Sequence, residues 1–284
     1  MSDGLLISFS GGETSAYMTH RIFSSELFAN IEKQVVFANT GQENEETLDF
    51  VKKCDDEFGF NTTWVEAVTQ PGRVACTHKI VTFETASRNG EPFKAMIEKY
   101  GLPNKSYPHC TRELKLHPIR SFMGSLGWFD YMTAVGIRVD EPGRIAKTAK
   151  ANNIIYPFND VWPTDKQDVR DFWDDQLFKL ELKEYQGNCK WCFKKSTKKH
   201  IRIIRENPEF FKFPREMEQL HGFTGNGSDI RDKGRRVIFR EHRNTDMLFK
   251  LAGVFGEVHD DNDDGCSQSC EPDFTKLHEG VDRC

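Results

Sequence analysis

The apolar run Leu5-Leu6-Ile7 feeds directly into "SFSGGETSAYM", residues 8 to 18, and this junction most constrains what the chain can fold into. A short apolar strand that breaks at two glycines and restarts as a helix is the opening unit of a βαβ layer. Gly11 and Gly12 let the backbone turn tightly with its N–H groups exposed, and the helix from Thr14 aims its positive end at the same point. The residues expected to hold an anion there are Ser10, Gly11, Gly12, Thr14 and Ser15. Where many phosphate loops carry a lysine, this one carries Glu13, so the positive charge has to come from elsewhere in the chain.

The alternation continues. Gln34–Ala38, Thr62–Val65 and Tyr131–Ile137 read as further strands beside Leu5–Phe9, and Thr14–Ser24, Glu45–Phe58 and Pro92–Tyr100 as helices. The expected fold is α/β, a Rossmann-like, mostly parallel sheet with helices on both faces. A helix start is expected at Thr164 as N-cap, with Gln167 in the capping-box position. From about Gln176 basic and aromatic residues rise and strand patterns cease. This divides the chain into a core, residues 1–175, and a smaller, mainly helical, cysteine-bearing region, residues 176–284, packed on it. Gly222 to Lys233 reads as a loop, and residues 240 to 257 as one more helix before an acidic tail.

No apolar run approaches the roughly 20 residues that cross a bilayer, and no basic segment followed by an apolar stretch opens the chain. The expectation is a cytoplasmic protein with no membrane partner. A net charge of -5 argues against general coating of nucleic acid but leaves room for a local basic site. Two candidates are "KWCFKKSTKKH", Lys190 to His200, continued by Arg202 and Arg205, and "KGRR", Lys233 to Arg236. The plainer reading of both is a solvated helix face.

Eight cysteines in a chain of that kind point to metal or redox chemistry rather than disulfides. Cys189 and Cys192 form a CxxC, Cys266 and Cys270 a CxxxC, and Cys110 lies in "PHCTRELK", while Cys54, Cys76 and Cys284 stand apart. A CxxC alone suits zinc, a redox pair or an iron–sulfur cluster. Residues 260 to 271 match an EF-hand loop pattern, but Ser267 and Pro272 favour a solvated acidic loop. Arg138 and Arg144 in "GIRVDEPGR" are the best phosphate clamps, since a planar guanidinium takes anion oxygens in pairs. Asp140 and Glu141 would orient them or hold Mg²⁺.

The segments "SFSGGETS", "VVFANTGQENEETLDFV", "CTRELKLHPI", "GIRVDEPGR" and "YPFNDVWPTDKQDV" occur in this order. Together they resemble the PAPS-reductase-like branch of the adenine nucleotide alpha-hydrolase (N-type ATP pyrophosphatase, PP-loop) family, including its phage-encoded members. The resemblance implies an adenine nucleotide (ATP, APS or PAPS) bound by its anionic end at Ser10, Gly11, Gly12, Thr14 and Ser15, with help from Arg112. It also brings in Asn39, Thr40 and Gly41, where Asn39 replaces the family's usual aspartate and puts metal or ribose contacts in doubt.

The resemblance further implies a [4Fe-4S] cluster held by Cys110, Cys189 and Cys192, with Cys266 or Cys270 as a fourth ligand. A zinc site of Cys189, Cys192, Cys266 and Cys270 is the alternative. The expected activity is nucleotide-dependent sulfur transfer, to a nucleic-acid or sulfur-carrier acceptor, with Arg138, Arg144 and Asp140 at the reacting phosphoryl group. Reduction of PAPS or APS to sulfite and a non-catalytic nucleotide-binding or zinc-stabilised module stand as alternatives. A homodimer is compatible with all three.

Overall fold

The computed structural model describes residues 4–72, 74–224 and 234–254. Six strands form one sheet in the order β4-β3-β2-β1-β5-β6. They are β1 (Leu5–Ser8), β2 (Lys33–Asn39), β3 (Thr63–Val68), β4 (Thr77–Val81), β5 (Met132–Ala134) and β6 (Ile154–Ile155). All neighbours run parallel except β4, which pairs antiparallel with β3 at the edge.

The period of two in β1 and β2 explains why both faces are covered. Leu5, Ile7, Val35 and Phe37 enter one core cluster, whereas Leu6, Val36 and Ala38 enter another on the opposite face. The first cluster lies against α1 (Glu13–Ser24), α2 (Glu45–Phe58) and α5 (Lys166–Asp174). The second lies against α4 (His117–Ser125). A third cluster joins α3 (Glu91–Tyr100) to α6 (Thr197–Glu206), α7 (Lys212–His221) and α8 (Thr245–Val254), and it contains Cys189, Trp191 and Cys192.

Two sequence expectations change in detail, and one strand was not expected. β5 stops at Ala134, short of Ile137, and Gly136 just beyond it comes so close to α1 that a Cβ there would stand 3.1 Å from the Cα of Ser15. The N-cap before α5 is Asp165, not Thr164. Thr164 is buried and its hydroxyl donates to the Trp162 carbonyl, so Asp165 accepts from Gln167 and Asp168 N–H, and Asp168 closes the box in place of Gln167. β4 carries exposed Lys79 and Ile80, so its alternation is too weak to announce a strand.

Strand order places the switch of chain direction at β1, whose neighbours β2 and β5 lie on opposite sides. Ligands of such sheets bind where loops diverge at the carboxyl ends of strands like these. Trp173 of α5 holds α1 in place from behind. Its ring packs on Phe50 and Phe178, and its Nε1 donates to the Glu13 carbonyl at 3.1 Å. Trp173→Ala is expected to cost about 3–5 kcal/mol of stability by chemical denaturation.

Candidate functional site: an anion loop beside a cysteine cavity

Gly11 turns the chain out of β1 with φ +78, a conformation only glycine takes cheaply, and a Cβ there would meet Thr47 at 2.7 Å. Gly12 then caps α1 without any side-chain acceptor, so the first-turn N–H groups face the crevice. Ser15 is buried and shapes the loop: its hydroxyl accepts from Ser10 N at 3.2 Å and donates to the Gly12 carbonyl at 2.9 Å. Ser10 Oγ lies 3.0 Å from Ser15 Oγ.

The loop after β5 meets this one. Arg138 Nη1 donates to Thr14 Oγ1 at 3.2 Å, while Nε and Nη2 grip the two oxygens of Asp140 at 2.9 and 3.0 Å. Hydrogen bonding to Arg138 holds the Asp140 carboxyl below the usual carboxylate range. Glu141 in turn bridges Arg138, at 3.7 Å, and Arg144. Asp140 and Glu141 therefore aim the two guanidiniums. Arg112, expected at the same place, is drawn elsewhere: its Nε donates to buried Glu113 at 2.8 Å.

Glu13 does not point into the loop. Its carboxyl is raised above the ordinary value of 4.5, chiefly by burial, against the Leu180 N–H and Lys179 that favour its charge. Because the folded value is raised, this residue opposes folding increasingly as pH climbs through that range. Glu13→Gln should raise stability at pH 7, with the difference from the parent closing as pH falls towards 4; urea titrations at both pH values check this.

Asn39 ends β2 and Thr40 follows it. Asn39 is wholly buried, donates to Glu66 Oε1 at 2.6 Å and the Ser87 carbonyl at 2.9 Å, and accepts from Gly41 N. Thr40 donates to Glu43 Oε2 at 2.7 Å, and its Oγ1 is 3.6 Å from Cys189 Sγ. Cys189 Sγ also lies 3.7 Å from Glu43 Oε1, and Lys115 Nζ 3.9 Å from that oxygen.

Cys110, Cys189 and Cys192 line one partly enclosed, almost wholly apolar cavity, together with Thr40, Lys115, Phe93 and Trp191. Cys110 and Lys115 reach it through an unusual helix. An α-turn, His109–Thr111, passes into a π-turn, Arg112–Leu116, before α4 begins. Five-residue α-helical spacing would turn these side chains about 140° apart, whereas an i→i+5 turn sets such residues nearly over one another.

The basic stretch after the CxxC divides, and it is not one solvated face. Lys195 and His200 are buried, His200 with burial pushing its imidazole down to about 3. Arg202 lies over Tyr185 and pairs with Glu206, and Arg205 donates to the Ala252 carbonyl. Arg235 and Arg236 likewise donate to backbone carbonyls, of Glu218 and Tyr100. Glu43, Glu66 and Lys195 were not singled out from the sequence, where nothing distinguishes them from surface charges.

Among the described residues, no three His, Cys, Asp or Glu side chains converge on a single ion position. Cys110, Cys189 and Cys192 bring three thiols to one apolar cavity, a donor set that suits a zinc ion or an iron–sulfur cluster alike. Cys266 and Cys270 lie outside the described residues.

Comparison with known proteins follows this geometry. Residues 4–154 match the family model described as the phosphoadenosine phosphosulfate reductase domain. The chain belongs to that family. It is 28% identical to the nin region protein ORF290 of Escherichia phage lambda, over 94% of each chain. A protein of Methanocaldococcus jannaschii is 28% identical over a stretch covering 41% of this chain and 22% of its own. A phosphoadenylyl-sulfate reductase from Candida auris, solved with phosphate, is 17% identical, with a TM-score of 0.37 over 61% of this chain and 72% of its own. The PAPS reductase domain match takes in the Ser10–Ser15 loop, Asn39–Gly41, Cys110 and both arginines, and ends before the CxxC. Among the described residues no helix is long and apolar enough to cross a membrane.

Proposed function

We propose that this protein binds an adenine nucleotide at the Ser10–Ser15 loop and transfers sulfur to an acceptor activated at the nucleotide's α-phosphate. The observation that carries the reading is the shared wall at Thr40. This residue belongs to the second nucleotide motif and also lines the cavity of Cys110, Cys189 and Cys192. Membership of the phosphoadenosine phosphosulfate reductase domain family supports chemistry of this kind.

In the proposed reaction, an acceptor oxygen attacks the α-phosphorus of ATP and pyrophosphate leaves; sulfur then attacks the activated carbon and AMP leaves with that oxygen. The α1 N–H groups, Thr14, Arg138 and Arg144 stabilise the charge gathering on the phosphoryl oxygens. Asp140 fixes the direction of the Arg138 fork. Cys110, Cys189 and Cys192 would hold the cluster, with Cys266 or Cys270 as a fourth ligand. When bound, such a cluster supplies a site at which inorganic sulfur is carried. The apolar walls from Phe93 and Trp191 exclude water from it. A nucleic-acid or sulfur-carrier acceptor and a Mg²⁺ ion on the triphosphate complete the reading.

A second reading is favoured by the family match itself: thiol-dependent release of sulfite from PAPS or APS. Two measurements decide. Anaerobically prepared protein should carry iron and acid-labile sulfide, and Cys110→Ala should lose most of both; an undiminished cluster in that variant refutes the ligand set. ATP incubated with acceptor should yield AMP and pyrophosphate, whereas robust sulfite release from PAPS or APS would replace sulfur transfer by reduction. Arg138→Ala is expected to weaken ATP binding about tenfold or more in equilibrium dialysis, through loss of charge-assisted hydrogen bonds each of about 1.5–3 kcal/mol.

A further inference from the structure

Lys195 is wholly buried, and three backbone carbonyls surround its Nζ: Gln186 at 3.3 Å, Cys189 at 2.8 Å, and Gly187 closer still. Carbonyl oxygens only accept, so satisfying all three requires three N–H bonds, which an ammonium has and a neutral amine lacks. A full positive charge therefore sits beneath the turn that carries the CxxC, and its hydrogen-bond partners are neutral. A buried charge normally has a counter-charge. Lys115, on the cavity wall, faces the Glu43 carboxylate; Lys195 is not on that wall, but its Nζ holds the carbonyl of Cys189, which is, so the candidate counter-charge for Lys195 is an anionic occupant of the cysteine cavity.

The turn is also pinned from other sides. Lys190 N donates to the Gln42 carbonyl at 2.9 Å, Trp191 Nε1 to Gln42 Oε1 at 2.6 Å, and Asn44 Nδ2 to the carbonyls of Gln186 and Asn188. The His200 ring lies 3.0 Å from the Cys192 carbonyl. Such a loop is shaped before anything binds.

We propose that Lys195 is the positioning residue and built-in counter-cation of the cysteine cavity, clamping residues 186–192 so that Cys189 and Cys192 face inward and favouring an occupant of net negative charge, a thiolate-bound metal–sulfide cluster. The inference rests on the cluster reading above and extends it from the ligands to the charge beneath them. It makes the retention of that occupant depend on the clamp and its reduction potential depend on the charge, since a nearby cation stabilises the more negative, reduced form.

The test uses the full chain, purified and reconstituted anaerobically, as wild type, Lys195→Gln and Lys195→Met. Lys195→Gln keeps N–H donors without charge, and Lys195→Met removes both. Iron and acid-labile sulfide per chain, the midpoint potential from an EPR-monitored redox titration, and hydrogen exchange of amides 186–192 in metal-free protein are measured. Lys195→Gln should keep most of the cluster while its potential moves to more negative values. Lys195→Met should lose most of the cluster, and its 186–192 amides should exchange at least tenfold faster while those of α1 and α2 stay unchanged. A wild-type potential in Lys195→Gln overturns the counter-charge, and unchanged exchange in Lys195→Met overturns the clamp. If the wild-type chain takes up neither iron nor sulfide, the cluster reading falls and the counter-charge with it, whereas exchange in the metal-free chain still decides the clamp.

Discussion

The placement of the cysteine loop depends on one seam, where the turn Gln42-Glu43-Asn44 after β2 docks on residues 186–192. A backbone N–H and an indole N–H from the cysteine loop end on Gln42, and Asn44 returns two contacts to carbonyls of that loop. Each such bond is worth only about 1 kcal/mol net, but breaking one inside a buried seam strands its partner at a cost of about 1–3 kcal/mol. The seam is therefore cooperative. Trp191 adds an apolar anchor, tilted against Phe93 and stacked on Phe213. As a result the CxxC, 79 residues beyond Cys110 in the chain, is fixed beside the turn that follows β2.

The same end of the sheet explains Asn39. Its register partner on β3 is Glu66, fully buried and taking hydrogen bonds from Asn39 Nδ2, Ser87 N and Ser87 Oγ, with Lys79 Nζ at 2.9 Å. An aspartate at position 39 would set two carboxylates against each other in a space that water does not reach, where like charges cannot both ionise cheaply. The carboxylate on this rung belongs to Glu66. It ties the segment around Ser87 to the sheet, and the amide of Asn39 is consumed in holding it.

Much of the fold was readable because period-two runs and glycine breaks report directly on burial and turning. Leu5–Ser8, Glu13–Ser24 and Glu45–Phe58 lie within one residue of where the pattern puts them. Two kinds of feature escaped. The π-turn at Arg112–Leu116 has no residue signature; it is visible only as Cys110 and Lys115 meeting in space. Buried charge escaped as well, because a lysine inside "CFKKSTKKH" differs from its neighbours by contacts alone. Contacts alone also set Arg112 and Glu13: the Nε of the first pairs with Glu113, and the carboxyl of the second is buried beside Lys179 and Leu180.

The anion loop finally shows why an acidic residue in it is no obstacle. The loop presents backbone N–H donors and hydroxyls, and the positive charge beside it is on Arg138, from the far side of the switch point, with Arg144 linked to it through Glu141. Those guanidiniums are already paired with Asp140 and Glu141, so under the proposed reading a phosphate would meet them aimed and partly neutralised. The carboxylates lower the pull on any single anionic oxygen but fix the fork within reach of Thr14. The loop thus gains direction at some expense in raw attraction, an arrangement suited to a ligand that must be held in one orientation while charge builds on it.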